Sequence, residues 1–349
     1  MSGAAAAQGS WLDAHLDLAY LAEHGREMRL PAGTTHDPMA PAAVTLPDLI
    51  NARVRTVVAT IFIQRRNRAP GEDHADGTWC FDTPEEANFA ALRQVQVYLE
   101  WHRQGWITLA GLPRKTPPST GAAPLRVVVL MEGAPGLRTP RDLVTFHAAG
   151  TRLLSLTWAE GSPYAGGDHQ SGVGLSAEGR ALVAEIDRLN MVHDASHLSE
   201  RAYDELLGLT QRPVVATHSN VRRLLPKRQF PERHLADRQI RELAARGGFI
   251  GINLFGRFLA EDRPASIADV VAHVQHMADL VGRTDFLGLG SDMDGGFTAD
   301  ALPEQIRGPR DLPKIAAALS AAGWSDEAVT GFMERNIASF LERHLGAMW

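Results

Sequence analysis

Six side chains able to hold a divalent cation stand where apolar runs of this sequence end. His15 and Asp17 are two residues apart at the end of the run that starts at Trp11. On a strand that spacing turns an imidazole and a carboxylate to one side. Glu132 follows Leu125–Met131, seven residues with a single charge, where a bare carboxylate is costly unless a cation answers it. His197 and His218 close two further runs, 21 residues apart, and Asp292 follows Phe286–Gly290. Imidazole and carboxylate together suit a borderline metal ion, and a metal ion with an open position suits hydrolysis. Each signal has a plainer reading. His-x-Asp fits a polar strand edge, Glu132 an ion pair with arginine, a lone histidine a hydrogen-bonded core residue, and Asp292-Met-Asp294-Gly-Gly a turn. What sets the metal reading apart is that all six fall at ends of predicted strands, and none on a predicted helix.

The elements that must position them alternate strand and helix. Strands are predicted at 11–17, 55–63, 125–131, 152–157, 191–195, 213–217, 249–255 and 286–290. Helices are predicted at 84–103, 142–149, from Ser176, from Ser199, at 237–246, 266–281, 312–322 and 326–344. Thr83-Pro84-Glu85-Glu86 carries the signature of a helix start: cap, proline, then a glutamate reaching back. Eight strand–helix units imply a parallel sheet closed into a (β/α)₈ TIM barrel, of the metal-dependent hydrolase type given the donors. An open doubly wound sheet is the competitor, and it lacks its Gly-x-Gly-x-x-Gly after the first strand. Active groups of a barrel sit at the C-terminal strand ends, where the six residues fall. Residues 1–349 read as one domain, with long loops near 21–47, 64–82 and 108–124 rich in Pro, Gly and charge.

Composition narrows the partners. The 349 residues carry a net charge of −6 and no basic run, which argues against nucleic acid. No stretch approaches the roughly 20 apolar residues that span a bilayer, so no membrane partner is expected. One cysteine, Cys80, excludes an internal disulfide, and the first ten residues lack the basic and apolar regions of a leader. The expectation is a cytoplasmic protein. Other histidines are set aside as loop or helix residues. His193 is read as supporting the site from behind, and Asp13 as supporting His15.

The order His15-x-Asp17, Glu132-Gly133, Ser196-His197-Leu198-Ser199, Thr217-His218-Ser219-Asn220, Arg233-x-Leu235-x-Asp237 and Gly290-Ser291-Asp292-x-Asp294-Gly295 resembles the membrane (renal) dipeptidase family, the M19 peptidases of the amidohydrolase superfamily. The resemblance runs from Asp13 to about Phe340. It implies two Zn²⁺ per chain, His15 and Asp17 on one, His197 and His218 on the other, and Glu132 between them. It implies Asp292 as the catalytic proton carrier. For substrate binding it implies Arg233 at the terminal carboxylate of a dipeptide, with Asn253 also matching. It implies a small dipeptide substrate, with a D-residue accepted at the second position by some members, and a homodimer. Trp158 stands where the family often has a histidine that polarises the scissile carbonyl; an indole N–H can donate there but carries no charge. Pro135 and Phe258 depart as well, at a histidine and a tyrosine position. These departures keep two other readings open: a different binuclear amidohydrolase reaction, on an N-acyl amino acid or a lactone, and a non-catalytic metal-binding barrel.

Overall fold

The computed structural model describes residues 9–66, 80–113 and 123–346. Eight parallel strands form the central sheet: β1 (Trp11–Leu16), β2 (Val54–Ile61), β3 (Leu125–Met131), β4 (Thr151–Ser155), β5 (Val192–Asp194), β6 (Val214–Val215), β7 (Ile250–Ile252) and β8 (Leu287–Leu289). They are ordered β7-β8-β1-β2-β3-β4-β5-β6. The remaining seam, β6 to β7, is bridged at Ala216 and Ile250, with Ala216 N donating to Phe249 O at 3.0 Å and Gly251 N to Ala216 O at 2.9 Å. The result is the expected (β/α)₈ barrel.

The strands form where the sequence is apolar on both faces, as strands between a packed interior and a ring of helices must be. β2 and β3 are buried along nearly their whole length and pair in register from Thr56–Arg126 to Ile61–Met131. The four strands of the second half are only two or three residues long, shorter than the runs that announce them. Helix Pro84–Arg103 has the predicted start, with Thr83 and Glu86 exchanging hydrogen bonds. The C-terminal helix sets Phe340 edge-on to Phe249, 5.0 Å between centroids, at the start of β7 and so at the end of the barrel opposite the donor residues.

Three features depart from the sequence reading. Ile107–Leu109, at the start of the loop expected near 108–124, is a ninth short strand pairing the first residues of β3, Leu125–Val127; three residues are too few to show a period. Most of that loop and of the loop near 64–82 lies outside the described residues, and the flanks of the latter, Gln64–Arg65 and Cys80–Phe81, pair as a small parallel ribbon. The helix expected over 326–344 contains a π turn at Gly331–Arg335, after which the Asn336 amide donates to Thr284 O and Leu287 O, tying the helix to the base of β8. Among the described residues no helix is long and apolar enough to cross a membrane.

Candidate metal centre

The six donors come together at the C-terminal ends of the strands. His15 Nε2 lies 3.4 Å from Glu132 Oε2, 3.8 Å from Asp17 Oδ1 and 4.0 Å from Asp292 Oδ1. Glu132 Oε1 lies 3.3 Å from His197 Nε2 and 3.6 Å from His218 Nε2. Glu132 therefore faces His15 with one oxygen and the other two histidines with the second. The imidazoles of His15 and His218 stack at 3.6 Å.

Backbone form contributes to this convergence. His197 and Asp292 are both left-handed, at φ 66° and 58°, a conformation that costs a side-chain-bearing residue about 1–2 kcal/mol. At His197 the chain has left β5, so strand parity no longer applies. His193, expected behind the site, points the other way and bonds Asp187 of helix Ala177–Arg188 at 2.6 Å. The inward residue is its neighbour Asp194, whose carboxylate accepts from Ser196 N, Ser196 Oγ, Thr217 N and Thr217 Oγ1. Asp13 supports His15 only through the backbone: it accepts from His15 N at 3.2 Å and from the amide and hydroxyl of Ser291. Asp294, read as a turn residue, is fully buried against Arg26 and the amides of Ala43 and Val44, and so holds the loop after β1 to the loop after β8.

The donor set has the chemistry of a cation site. His197 Nε2 and His218 Nε2 face each other at 3.0 Å. Each ring's other nitrogen is occupied: His197 Nδ1 meets Asp168 Oδ2 at 2.8 Å, and His218 Nδ1 meets Thr217 Oγ1 at 3.0 Å. A carboxylate only accepts, so Nδ1 of His197 carries the proton and its Nε2 presents a lone pair. Two imidazole nitrogens turned on one point, with a carboxylate beside them and all three groups buried, suit a cation. His15, Glu132 and His218, and separately His15, Asp17 and Asp292, each bring three donor atoms within 4.8 Å of one another.

The electrostatics of the cluster agree. Burial, with the charge of Glu132, pushes Asp17 up to about 7, and burial pushes Asp292 up to about 6. Burial acts against the charge on Glu132 as well, but His15 and His197 hold its carboxyl well below the usual range. Burial, then the neighbouring His15, Arg233 and His197, keeps His218 neutral. Burial also opposes a charge on His15, but Glu132, Asp292 and Asp17 overcome it and raise the group to about 10. A proton on His15 thus does part of what a metal ion would do for three carboxylates.

The residues expected on the substrate side, Asn253, Arg233 and Trp158, lie around this cluster. Asn253 Nδ2 donates to Asp292 Oδ2 at 2.8 Å. Arg233 is buried, donates to His218 O at 2.9 Å, lies over the Phe258 ring at 5.0 Å, and leaves its Nε without a hydrogen bond. Trp158 lies 5.9 Å from the His197 ring and 5.4 Å from Phe62. It walls a cavity of about 720 Å³ that also touches Ile63, Gly133, Pro135 and Leu137. Sequence reasoning passed over Asp168 and Thr217. Asp168 sits in the irregular stretch between β4 and the next helix, brought to His197 by the Gly167–Leu198 bridge, and has no periodic signal. Thr217 adjoins His218 and was read only as strand.

A family model described as membrane dipeptidase (peptidase family M19) matches residues 5–343. The structure of a metallo peptidase from Rhodobacter sphaeroides, liganded with a phosphinate mimic of the dipeptide L-Ala-D-Ala, superposes with a TM-score of 0.79 at 25% identity over 96% of this chain and 99% of that one. The structure of the family M19 metallo peptidase called dipeptidase AC gives 0.78 at 25% identity over 97% and 99%. Dipeptidase tcpJ of Claviceps purpurea is 34% identical over 204 residues, 56% of this chain, and the match spans 45% of that protein. With a donor cluster of this kind at the mouth of the barrel, the chain belongs to the membrane dipeptidase family, peptidase family M19, and is a metallo-dipeptidase of that family.

Proposed function

We propose that this protein is a zinc-dependent dipeptidase that uses two Zn²⁺ ions and cleaves dipeptides with a free C-terminal carboxylate, including those with a D-residue at the second position. The observation that carries the metal part is the pair of Nε2 atoms of His197 and His218, turned on one another 3.0 Å apart beside Glu132. His15 and Asp17 would hold one ion, His197 and His218 the other, and Glu132 would bridge them. Bound zinc supplies Lewis acidity and a water acidified toward neutral pH.

The chain's own residues do the rest. Asp292, fixed by Asn253, takes a proton from the attacking water and returns it to the leaving nitrogen. Arg233 takes the carboxylate; its Nε, which makes no hydrogen bond and stands 3.9 Å from Asp168 Oδ2, and its charge favour an anion in a buried site. In the closed ring of strands the cavity beside Trp158 lies past β2, β3 and β4, across the mouth from Arg233, which follows β6. A dipeptide anchored at Arg233 would send its amino-terminal residue there. The R. sphaeroides relative's L-Ala-D-Ala mimic supports the D-residue part of the reading. Because Trp158 brings no charge to the carbonyl, another binuclear amidohydrolase reaction, on an N-acyl amino acid or a lactone, forms the second reading.

Hydrolysis of L,L and L,D dipeptides by zinc-loaded protein, with a chelated control, tests this. Cleavage abolished by the chelator is expected. Folded, zinc-loaded protein that leaves all dipeptides intact, but opens N-acyl amino acids or lactones, would replace the first reading by the second.

A further inference from the structure

One hydroxyl touches an imidazole from each half of the donor cluster. Thr217 Oγ1 lies 3.2 Å from Nδ1 of His15, 3.0 Å from Nδ1 of His218 and 2.7 Å from Oδ2 of Asp194. A hydroxyl has one proton and two lone pairs. The carboxylate of Asp194 only accepts, so the proton goes to it. Both lone pairs then face Nδ1–H donors, one from each histidine. This places a proton on Nδ1 of both His15 and His218 and turns Nε2 of each to Glu132, the orientation in which each Nε2 can serve a metal ion. Asp194, Thr217, His15 and His218 are each at most 1% exposed, so no bulk water competes for these bonds. Asp194 cannot turn away, because its Oδ1 already accepts from Ser196 N at 3.0 Å, Ser196 Oγ at 2.8 Å and Thr217 N at 3.0 Å. The position of Thr217 is fixed in turn by glycines: a Cβ at Gly251 or Gly290 would collide with its carbonyl oxygen.

We infer that Thr217 is a positioning residue shared by both metal sites, its single hydroxyl, oriented by Asp194, setting the tautomer of one imidazole in each, so that the two sites depend on it together. This rests on the two-metal reading above, in which His15 serves one ion and His218 the other. Asp168 provides the contrast, since among the six donors it bonds only His197.

The test is a zinc titration of metal-free protein against a chromophoric chelator, with circular dichroism confirming the fold of each variant. Thr217→Val keeps the shape and removes the hydroxyl. It is expected to weaken both zinc ions, each by about 10–100-fold. Thr217→Ser restores the hydroxyl and both affinities, whereas Asp168→Asn weakens one ion and spares the other. Thr217→Val with both affinities unchanged, or with only one reduced, overturns the inference. Wild-type protein that stays folded but binds a single zinc refutes the two-metal reading and the inference with it. Should the valine variant fail to fold, long-range ¹⁵N–¹H spectra of the zinc-loaded wild type decide. Protons on Nδ1 of both His15 and His218 are expected, and a metal on either Nδ1 overturns the assignment.

Discussion

Asp292→Asn separates proton transfer from architecture. Asp292 sits at φ 58°, where asparagine is among the few residues at ease, so the backbone tolerates the change. The amide keeps the carboxylate's shape, and its oxygen can still accept from Asn253 Nδ2, now at 2.8 Å from Oδ2. What it cannot do is take a proton. Loss of a positioned general base or acid costs about 10²–10⁴ in turnover, which is roughly 3–5 kcal/mol of barrier at 1.36 kcal/mol per tenfold. Asp292→Ala differs physically: alanine in the left-handed region costs about 1–2 kcal/mol, and the orphaned Asn253 amide about 1–3 kcal/mol more. The asparagine variant is therefore expected to unfold in urea at the wild-type midpoint and to bind two zinc ions, with kcat on a dipeptide down at least a hundredfold. The alanine variant should lose stability as well as rate. An asparagine variant that holds its zinc and keeps kcat within tenfold of wild type would show that the proton does not pass through Asp292.

Three more outcomes follow from particular contacts. Arg233→Ala should raise KM for free dipeptides by about 10–100-fold, the worth of a charged hydrogen bond, and leave C-terminally amidated ones little changed; an equal effect on both rules out a carboxylate contact. Gly251→Ala drives a Cβ into the Thr217 carbonyl oxygen and should cost about 1–3 kcal/mol in urea unfolding, whereas Gly208→Ala, on a helix with nothing within 4 Å, should stabilise by about 0.5–1 kcal/mol. His273 is buried and neutral, accepting from Val221 N at 3.0 Å and paired with Leu259 O at 3.2 Å; burial lowers it from 6.5 to about 4. The unfolded chain then takes up this proton below pH 6.5 and the folded chain only near 4, so stability is lost as pH falls through that window, by up to about 3 kcal/mol. Urea unfolding at pH 7 and pH 4.5 should show a smaller acid loss for His273→Gln than for wild type, and identical losses would refute the assignment.

How much of this was legible in the sequence depends on distance along the chain. The barrel was legible because β2 and β3 are long β-branched runs and because helix starts carry their caps in sequence, as at Thr83 and Ser176. The six donors were legible because the barrel rule says where to look. The residues that hold the donors were not. Asp168 is 29 residues from the histidine it orients, and Thr217 is 202 residues from His15. His193, read as supporting the site from behind, instead faces helix Ala177–Arg188, because Asp194 is the β5 residue that turns toward the site. Asp294 has the composition of a turn, and its burial against Arg26 depends on a loop more than 250 residues away.

The supports share a pattern that says how the site is made. Asp17, just after β1, accepts from Thr60 on β2. His15 on β1 leans on Thr217 after β6, and Ser291 after β8 on Asp13 of β1. Asp292 after β8 is held by Asn253 after β7, whose own amide donates to Asn220 after β6. Asp17, His15 and Asp292 are thus each oriented by a residue from another strand, and the chain of bonds runs around the mouth across the β6–β7 seam. Donors on one strand cannot be preorganised by that strand alone, so the metal geometry exists only once the ring is closed. Metal binding then favours the closed ring by the same contacts, since an ion that binds the folded chain alone adds its binding free energy to folding. Zinc stabilisation should accordingly shrink when the seam at Ala216 and Ile250 is loosened, although neither residue contributes a donor atom to the cluster.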